Sequence, residues 1–333
     1  MRQRDFTIGL FLAAAAPLVR AEEPTKQHRI AIIIASGPVT RLDDPTSTAW
    51  RAFWEELRRL GDVEGQNLTV KRYSGEGRPE SYADVAREVV SRNPDVIVPI
   101  SPPIMHAVSA ATDTIPIVGS GAYTELGQVP SLARPAGNIT GITVTAGYEI
   151  YGKYLQILKE AVPSATKVAF LDMDNGADRQ QRREALEKAS RLLEVSLTHV
   201  LLQQSTPPEY QRVFAEIAQA RPDAIIVSGI SELYAYRRLI VELVEKSGLP
   251  AMYPTPARDW VEAGGLMAYG TDYAELWRHL ADDLHQVLNG ARPGDIPIYQ
   301  PTKYEFLINL KAAKALGLMI PPSLLALADE VIE

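Results

Sequence analysis

The sequence predicts an α/β protein built as two Rossmann-like lobes with parallel sheets joined by a hinge. Three observations carry this. Short apolar segments alternate with amphipathic helical segments along most of the 333 residues, and such alternation builds parallel sheets through right-handed crossovers. The pattern runs to about residue 145 and then restarts. A local motif also recurs: Arg92-Asn93-Pro94-Asp95-Val96-Ile97-Val98 is echoed by Ala220-Arg221-Pro222-Asp223-Ala224-Ile225-Ile226. Each copy is a helix end, a proline, an aspartate and an apolar strand. The length fits two domains of roughly 100–200 residues.

Residues 1–21 read as a secretion signal. Arg2 and Arg4 form a basic start, Ile8 to Ala16 is an apolar run too short to span a bilayer, and Val19 and Ala21 suit a cleavage site. A cleaved, unanchored protein of the periplasm is expected. The chain contains no cysteine, which excludes a lipoprotein anchor, disulfides, zinc-thiolate sites and cysteine nucleophiles. No stretch of 18 or more apolar residues follows, so no stable membrane insertion is expected. The net charge of -7 and the lack of basic runs give no nucleic-acid footprint.

In the first lobe, 29–35 reads as a strand buried on both faces. Residues 46–60 read as a helix with Trp50, Phe53, Trp54 and Leu57 on one stripe and Gly61 past its end. A strand at 67–73, a helix at 80–92 and a strand at 95–100 follow. A helix at 101–111 is opened by Ser101 and two prolines, before strands at 115–119 and 139–144. The second run has helices at 148–161, 179–193, 208–220, 232–247 and 272–288, and strands at 167–171, 197–202, 224–227, 251–253 and 265–269. In the tail from residue 291, Asn309 reads as a helix N-cap and Gly317 as its stop. Lobe 1 is expected to comprise 28–145 plus roughly 272–300. Lobe 2 then comprises 146–271 plus roughly 301–333, with a third hinge crossing near 297–306.

Ligands of such sheets bind where strand ends lead into helix N-termini. The loops at those ends offer Ser36, Ser101, Ser120, Tyr123, Asp172, Asn175, Ser228, Ser231, Tyr269 and Asp272 as candidate ligand contacts. For each residue taken singly, capping and turn formation are the first explanation and ligand contact the second. For an amino-acid ligand, Ser36, Ser101 and Ser120 are expected at its carboxylate, and Asp172 or Asp272 at its ammonium. Trp50, Phe53 and Trp54 read as core; Tyr234, Tyr253, Trp260 and Tyr269 fall near cleft loops.

Enzyme signatures fail. There is no zinc helix with two histidines, no nucleophile elbow and no phosphate loop. Gly119-Ser120-Gly121 opens like a dinucleotide loop, but Thr124 holds its sixth position. Asp172, Asp174 and Asp178 start like a calcium loop, but Arg183 stands where a bidentate glutamate is required. His279 and His285 lie six apart, off one helical face. Asp282-Asp283 reads as a solvated helix face. No catalytic residue, metal or cofactor is therefore expected.

Four segments together resemble one family. They are Leu57-Arg58-Arg59-Leu60-Gly61-Asp62-Val63-Glu64-Gly65-Gln66-Asn67-Leu68; Ser131-Leu132-Ala133-Arg134-Pro135-Ala136-Gly137-Asn138-Ile139-Thr140-Gly141, with Ala136 at a usual glycine; Glu262-Ala263-Gly264-Gly265-Leu266-Met267-Ala268-Tyr269-Gly270; and Gln300-Pro301-Thr302-Lys303-Tyr304-Glu305 with the end Ala328-Asp329-Glu330-Val331-Ile332-Glu333. The chain is similar to ABC-transporter substrate-binding proteins of the tryptophan/tyrosine type. The resemblance implies a type I periplasmic-binding fold and a monomeric soluble receptor. Its partners would be a small-molecule solute and an ABC permease with its ATPase. The loops at 37–45 and 172–178 depart from the family pattern, so the solute is left open. A periplasmic sensor for a membrane kinase and a secreted two-domain hydrolase are the alternative readings.

Overall fold

The structure is a computed structural model and describes residues 27–121, 127–144, 147–174 and 179–333. The first lobe is β1 (His28–Ile34), α1 (Thr48–Leu60), β2 (Leu68–Ser74), α2 (Tyr82–Ser91), β3 (Val96–Ile100), α3 (Pro102–Ala111), β4 (Ile117–Ser120) and β5 (Ile139–Ile142). The chain continues with α4 (Ile150–Ala161), β6 (Lys167–Met173), α5 (Arg179–Leu192), β7 (Ser196–Leu202), α6 (Pro207–Ala220), β8 (Ala224–Val227), α7 (Ser231–Ala235), α8 (Arg237–Ser247), β9 (Ala251–Tyr253), α9 (Ala257–Glu262) and β10 (Met267–Thr271). It ends with α10 (Tyr273–Leu288), β11 (Tyr304–Asn309), α11 (Leu310–Ala315), α12 (Pro322–Leu327) and β12 (Glu330–Ile332).

Two sheets result. The first has order β2-β1-β3-β4-β5, and the second runs β7-β6-β8-β9-β10 before adding β11 and β12. The five leading strands of each are parallel and follow the same order, so the halves repeat one topology. Strand alternation divides each core in two. Ile30, Ile32 and Ile34 of β1 pack with α1 and α10, while Ala31 and Ile33 pack with α2 and α3. In β6, Val168 and Phe170 face α4, while Ala169 and Leu171 face α6 and α8.

The repeated Pro-Asp motif has a repeated physical role. Asn93 and Arg221 both take positive φ, 48° and 47°, which turns the chain out of a helix ahead of proline. The Asp95 carboxylate then accepts from the Arg29 amide at 2.7 Å, and Asp223 accepts from the Lys167 amide at 2.9 Å. Each aspartate thereby ties the start of the third strand of its lobe to the start of the first.

Helix α10 follows a second-sheet strand but packs in the first lobe, where Leu276, Leu280 and Leu284 join β1 and α1. Tyr299 still bonds the first sheet, accepting from Thr143 at 2.9 Å. The chain therefore crosses between lobes after Val144, at Thr271–Asp272, and between Tyr299 and Tyr304. These crossings lie side by side: Thr271 Oγ1 donates to the Val144 carbonyl at 3.1 Å and the Asp272 amide to the Lys303 carbonyl at 3.1 Å.

Three details differ from the sequence reading. β11 pairs antiparallel with β10, because the chain re-enters the second sheet from its hinge end. The helix expected at 232–247 is two helices, since Tyr236 leaves helical geometry at φ -108°. Asp283 is not on a solvated face; it is 7% exposed, because α10 is covered by both its own sheet and α1.

Candidate functional site

In sheets of this strand order the first and third strands are neighbours whose connections leave for opposite faces, which opens a crevice for ligand outside their carboxyl ends. Here the crevices after β1 and β3 in one lobe and after β6 and β8 in the other face each other. Two adjoining cavities of about 150 and 60 Å³ lie between them. They share walls at Ile100, Gly229 to Ser231, Thr255, Tyr273 and Trp277.

Six aromatic rings line the larger cavity. Tyr82, Tyr273 and Trp277 come from the first lobe, and Tyr148, Tyr151 and Tyr154 from the second. Tyr273 and Trp277 lie one turn apart on α10, so their rings stack at 4.4 Å. Tyr151 and Tyr154 meet edge to face at 5.3 Å. Rings from both lobes on one space of this size suit a flat ligand ring.

Polar groups punctuate this surface. Ser101 sits between β3 and α3 with φ 122° and ψ 152°, a conformation that side chains resist. Pro102 and Pro103 follow it and hold the helix start. Its hydroxyl makes no capping bond. Ser101 Oγ and Trp277 Nε1 are both buried on the wall without a hydrogen-bond partner among the described residues. Buried polar groups are ordinarily satisfied, so these two stand out on this wall. Ser101→Gly is expected to raise stability by about 1 kcal/mol by relieving the backbone, while weakening solute binding. A thermal melt beside a titration reads both signs at once.

The carboxylate at the larger cavity is Glu232, which accepts from the Tyr82 hydroxyl at 3.0 Å across the cleft. Burial, and then Glu232, push the Tyr82 hydroxyl pKa above its ordinary value, so Tyr82 stays a donor. The lobes are closed on each other. Ser36 Oγ donates to the Ser231 carbonyl at 3.3 Å, Thr48 Oγ1 to Asp259 at 2.5 Å, and Arg237 pairs with Asp44 at 3.2 Å.

Four of the candidate residues reach the cavity walls: Ser36, Ser101, Ser120 and Ser231. Tyr123 and Asn175 lie outside the described residues. Asp172 is not on a wall; it pairs with Arg182 at 3.0 Å, both side chains 1% exposed. Ser228 is buried in the same neighbourhood and helps hold the Asp172 charge. Asp272 caps α10 by accepting from the Glu275 amide at 3.1 Å and pairs with Lys303 at 2.7 Å. Burial pushes its carboxyl up, but Lys303 and that amide outweigh it and hold it below the usual range. Neither aspartate is therefore free for a ligand ammonium. Tyr269 stacks on Tyr304 at 5.6 Å, away from both cavities. Tyr253 and Trp260 are core, stacked at 5.0 Å. Trp50 and Tyr234 line the smaller cavity.

Comparison with protein families matches residues 43–332 to ABC transporter substrate binding protein. The chain belongs to this family. A tyrosine-binding protein from Clostridioides difficile (strain R20291) is 24% identical over 272 residues, 81% of this chain and 76% of that protein. Among solved structures, a conserved domain protein from Vibrio cholerae superposes with a TM-score of 0.80 at 24% identity, over 92% of this chain and 100% of that one. A Streptococcus pneumonia ABC domain in complex with L-Trp gives 0.77 at 21%, over 91% and 100%. As a substrate-binding protein of this family, the chain is a solute receptor of ABC transport with a type I periplasmic-binding fold. No group of three or more metal-ligating side chains converges among the described residues.

Proposed function

We propose that the receptor takes a small solute carrying an aromatic ring, with an aromatic amino acid as the first candidate, and passes it unchanged to a permease driven by an ATPase. The observation that carries this reading is the cavity walled by Tyr82, Tyr273 and Trp277 on one side and Tyr148, Tyr151 and Tyr154 on the other. A ring between them contacts both lobes, so binding favours closure. The tyrosine-binding and L-Trp-bound relatives support the same class. Glu232, held by Tyr82, receives the ammonium that Asp172 and Asp272 cannot.

Residues 1–21 direct secretion and are cleaved, and the receptor works in the periplasm as a monomer. Its lobes, 28–145 with 272–300 and 146–271 with 301–333, rotate about the three adjacent crossings.

The test is a thermal-shift and calorimetric screen of the purified protein against L-tryptophan, L-tyrosine, aliphatic amino acids, sugars and nucleosides. A ligand at one hundred times its Kd is expected to add about 2.7 kcal/mol of stability. An aromatic amino acid should give that shift, and Trp277→Ala should weaken it at least tenfold. Binding confined to sugars or aliphatic amino acids would discard the ring.

A further inference from the structure

The smaller cavity is lined by a cation, Arg41, that has no carboxylate partner among the described residues. Arg41 lies in the 3₁₀ turn after β1 (Val39–Asp43). Its Nη1 donates to the Ser36 carbonyl at 2.9 Å. Its guanidinium carbon stands 5.3 Å from the centre of the Tyr234 ring of the opposite lobe. The side chain lines the cavity beside Trp50 and Ser231.

No carboxylate of the described residues pairs with it. Asp44, whose charge acts on Arg41, is held by Arg237 at 3.2 Å, and Asp43 by Arg72 at 2.9 Å. Asp259 accepts from Thr48 and from the Tyr234 hydroxyl. Burial lowers the Arg41 pKa, and Arg237 lowers it further against the pull of Tyr234 and Asp44. A desolvated guanidinium without a counter-ion is costly. One of its five donors is spent on Ser36, which leaves the fork for a planar anion.

The backbone is shaped for this placement. Gly37 has φ +79°, and a Cβ there would stand 2.7 Å from Arg41 Cδ and 3.0 Å from Nη1. The positive φ favours glycine there, and any side chain at this position would have to displace the Arg41 guanidinium from its present place.

We propose that Arg41 receives the carboxylate of the solute, so that the receptor selects small carboxylates whose ring or side chain extends into the larger cavity. This rests on the receptor reading above and narrows it. The two cavities adjoin at the wall from Gly229 to Ser231, so a solute with its carboxylate at Arg41 has the larger cavity next to it. Charge on the solute then also draws the lobes together, since Tyr234 and Ser231 belong to the second lobe and Arg41 to the first.

The test uses matched pairs in which only the carboxylate changes: L-tryptophan and L-tryptophanamide, L-tyrosine and L-tyrosinamide, L-leucine and L-leucinamide. Adenosine and glucose serve as neutral probes. Calorimetry on the wild-type protein is expected to show at least 100-fold preference for acid over amide. Arg41→Gln should weaken the acid at least 30-fold and leave the amide within threefold, collapsing the ratio. Arg41→Lys, a point charge without the fork, should fall between. A purely structural Arg41 would weaken acid and amide alike. Equal wild-type binding of acid and amide overturns the proposal, as does an acid preference that survives in Arg41→Gln, or binding only of a neutral probe. The wild-type comparison stands even where a variant fails to fold. An Arg41-dependent preference seen only with leucine keeps the carboxylate clamp and removes the aromatic reading. Binding by no probe removes both.

Discussion

Arg182→Ala is expected to cost about 3–5 kcal/mol of stability at pH 7, because it leaves the Asp172 carboxylate buried without its counter-ion. Both side chains are 1% exposed, and Arg182 Nη2 reaches the two carboxylate oxygens at 3.0 and 3.1 Å. Burial already pushes the Asp172 carboxyl above its ordinary pKa, and Arg182 and Ser228 pull it back only in part. Without Arg182 the rise is larger. An acid whose folded pKa is raised keeps its contribution below the unfolded pKa and loses it as pH climbs toward the folded value. The variant should therefore be weakest at neutral pH and recover toward pH 4. A melting temperature on the order of 10 °C below wild type at pH 7, with the gap narrowing in acid, is the expected record. The double variant Asp172→Leu/Arg182→Met should regain most of the loss, since a buried ion pair and a packed apolar pair are of similar worth. A pH-independent gap, or no recovery in the double variant, would show that the pair matters through shape instead.

That pair also marks where the sequence stopped being informative. Asp172 ends a strand and precedes a loop, which is where a ligand carboxylate belongs. Its partner stands ten residues on, and only the docking of α5 on α4 and β7 brings them together. Trp277 and Tyr273 escaped notice for a related reason: α10 follows a strand of one lobe but docks in the other, so its rings enter the cleft from an unexpected side. Tyr151 and Tyr154 carry the i, i+3 spacing of an ordinary core face, and nothing local separates a buried tyrosine from one on a cavity wall. By contrast, the buried strands were plain from runs such as Ile30 to Ile34, and the duplicated topology from the two Pro-Asp motifs. The rule that ligands meet strand ends brought Ser36, Ser101, Ser120 and Ser231 to attention because it depends on topology alone. A lone arginine in a turn, such as Arg41, reads as solvated until the second lobe covers it.

Asp283→Asn is expected to stabilise the protein by about 4 kcal/mol at pH 7 and by nothing near pH 4. Asp283 is 7% exposed on α10, and its Oδ2 has no hydrogen-bond partner among the described residues. Burial, reinforced by the neighbouring Asp282 charge, pushes its carboxyl up to about 8. The unfolded chain ionises near pH 3.9, so between about pH 4 and 8 the native state holds a proton that the unfolded state has lost. Stability then falls by about 1.4 kcal/mol per pH unit across that window, and the three units to pH 7 give the figure above. Asparagine carries the same shape without the proton, so its curve should lack this slope. Urea unfolding of both proteins from pH 4 to 9 measures the difference directly; parallel curves would show that Asp283 is already ionised in the folded state. Solute affinity should stay within threefold at pH 7, since Trp277 and Tyr273 stand one to two turns or more nearer the amino end of the same helix and the substitution moves no atom between them. A change in affinity alongside the change in stability would mean that α10 shifts as a body when Asp283 sheds its proton, coupling the cleft wall to a charge buried behind it.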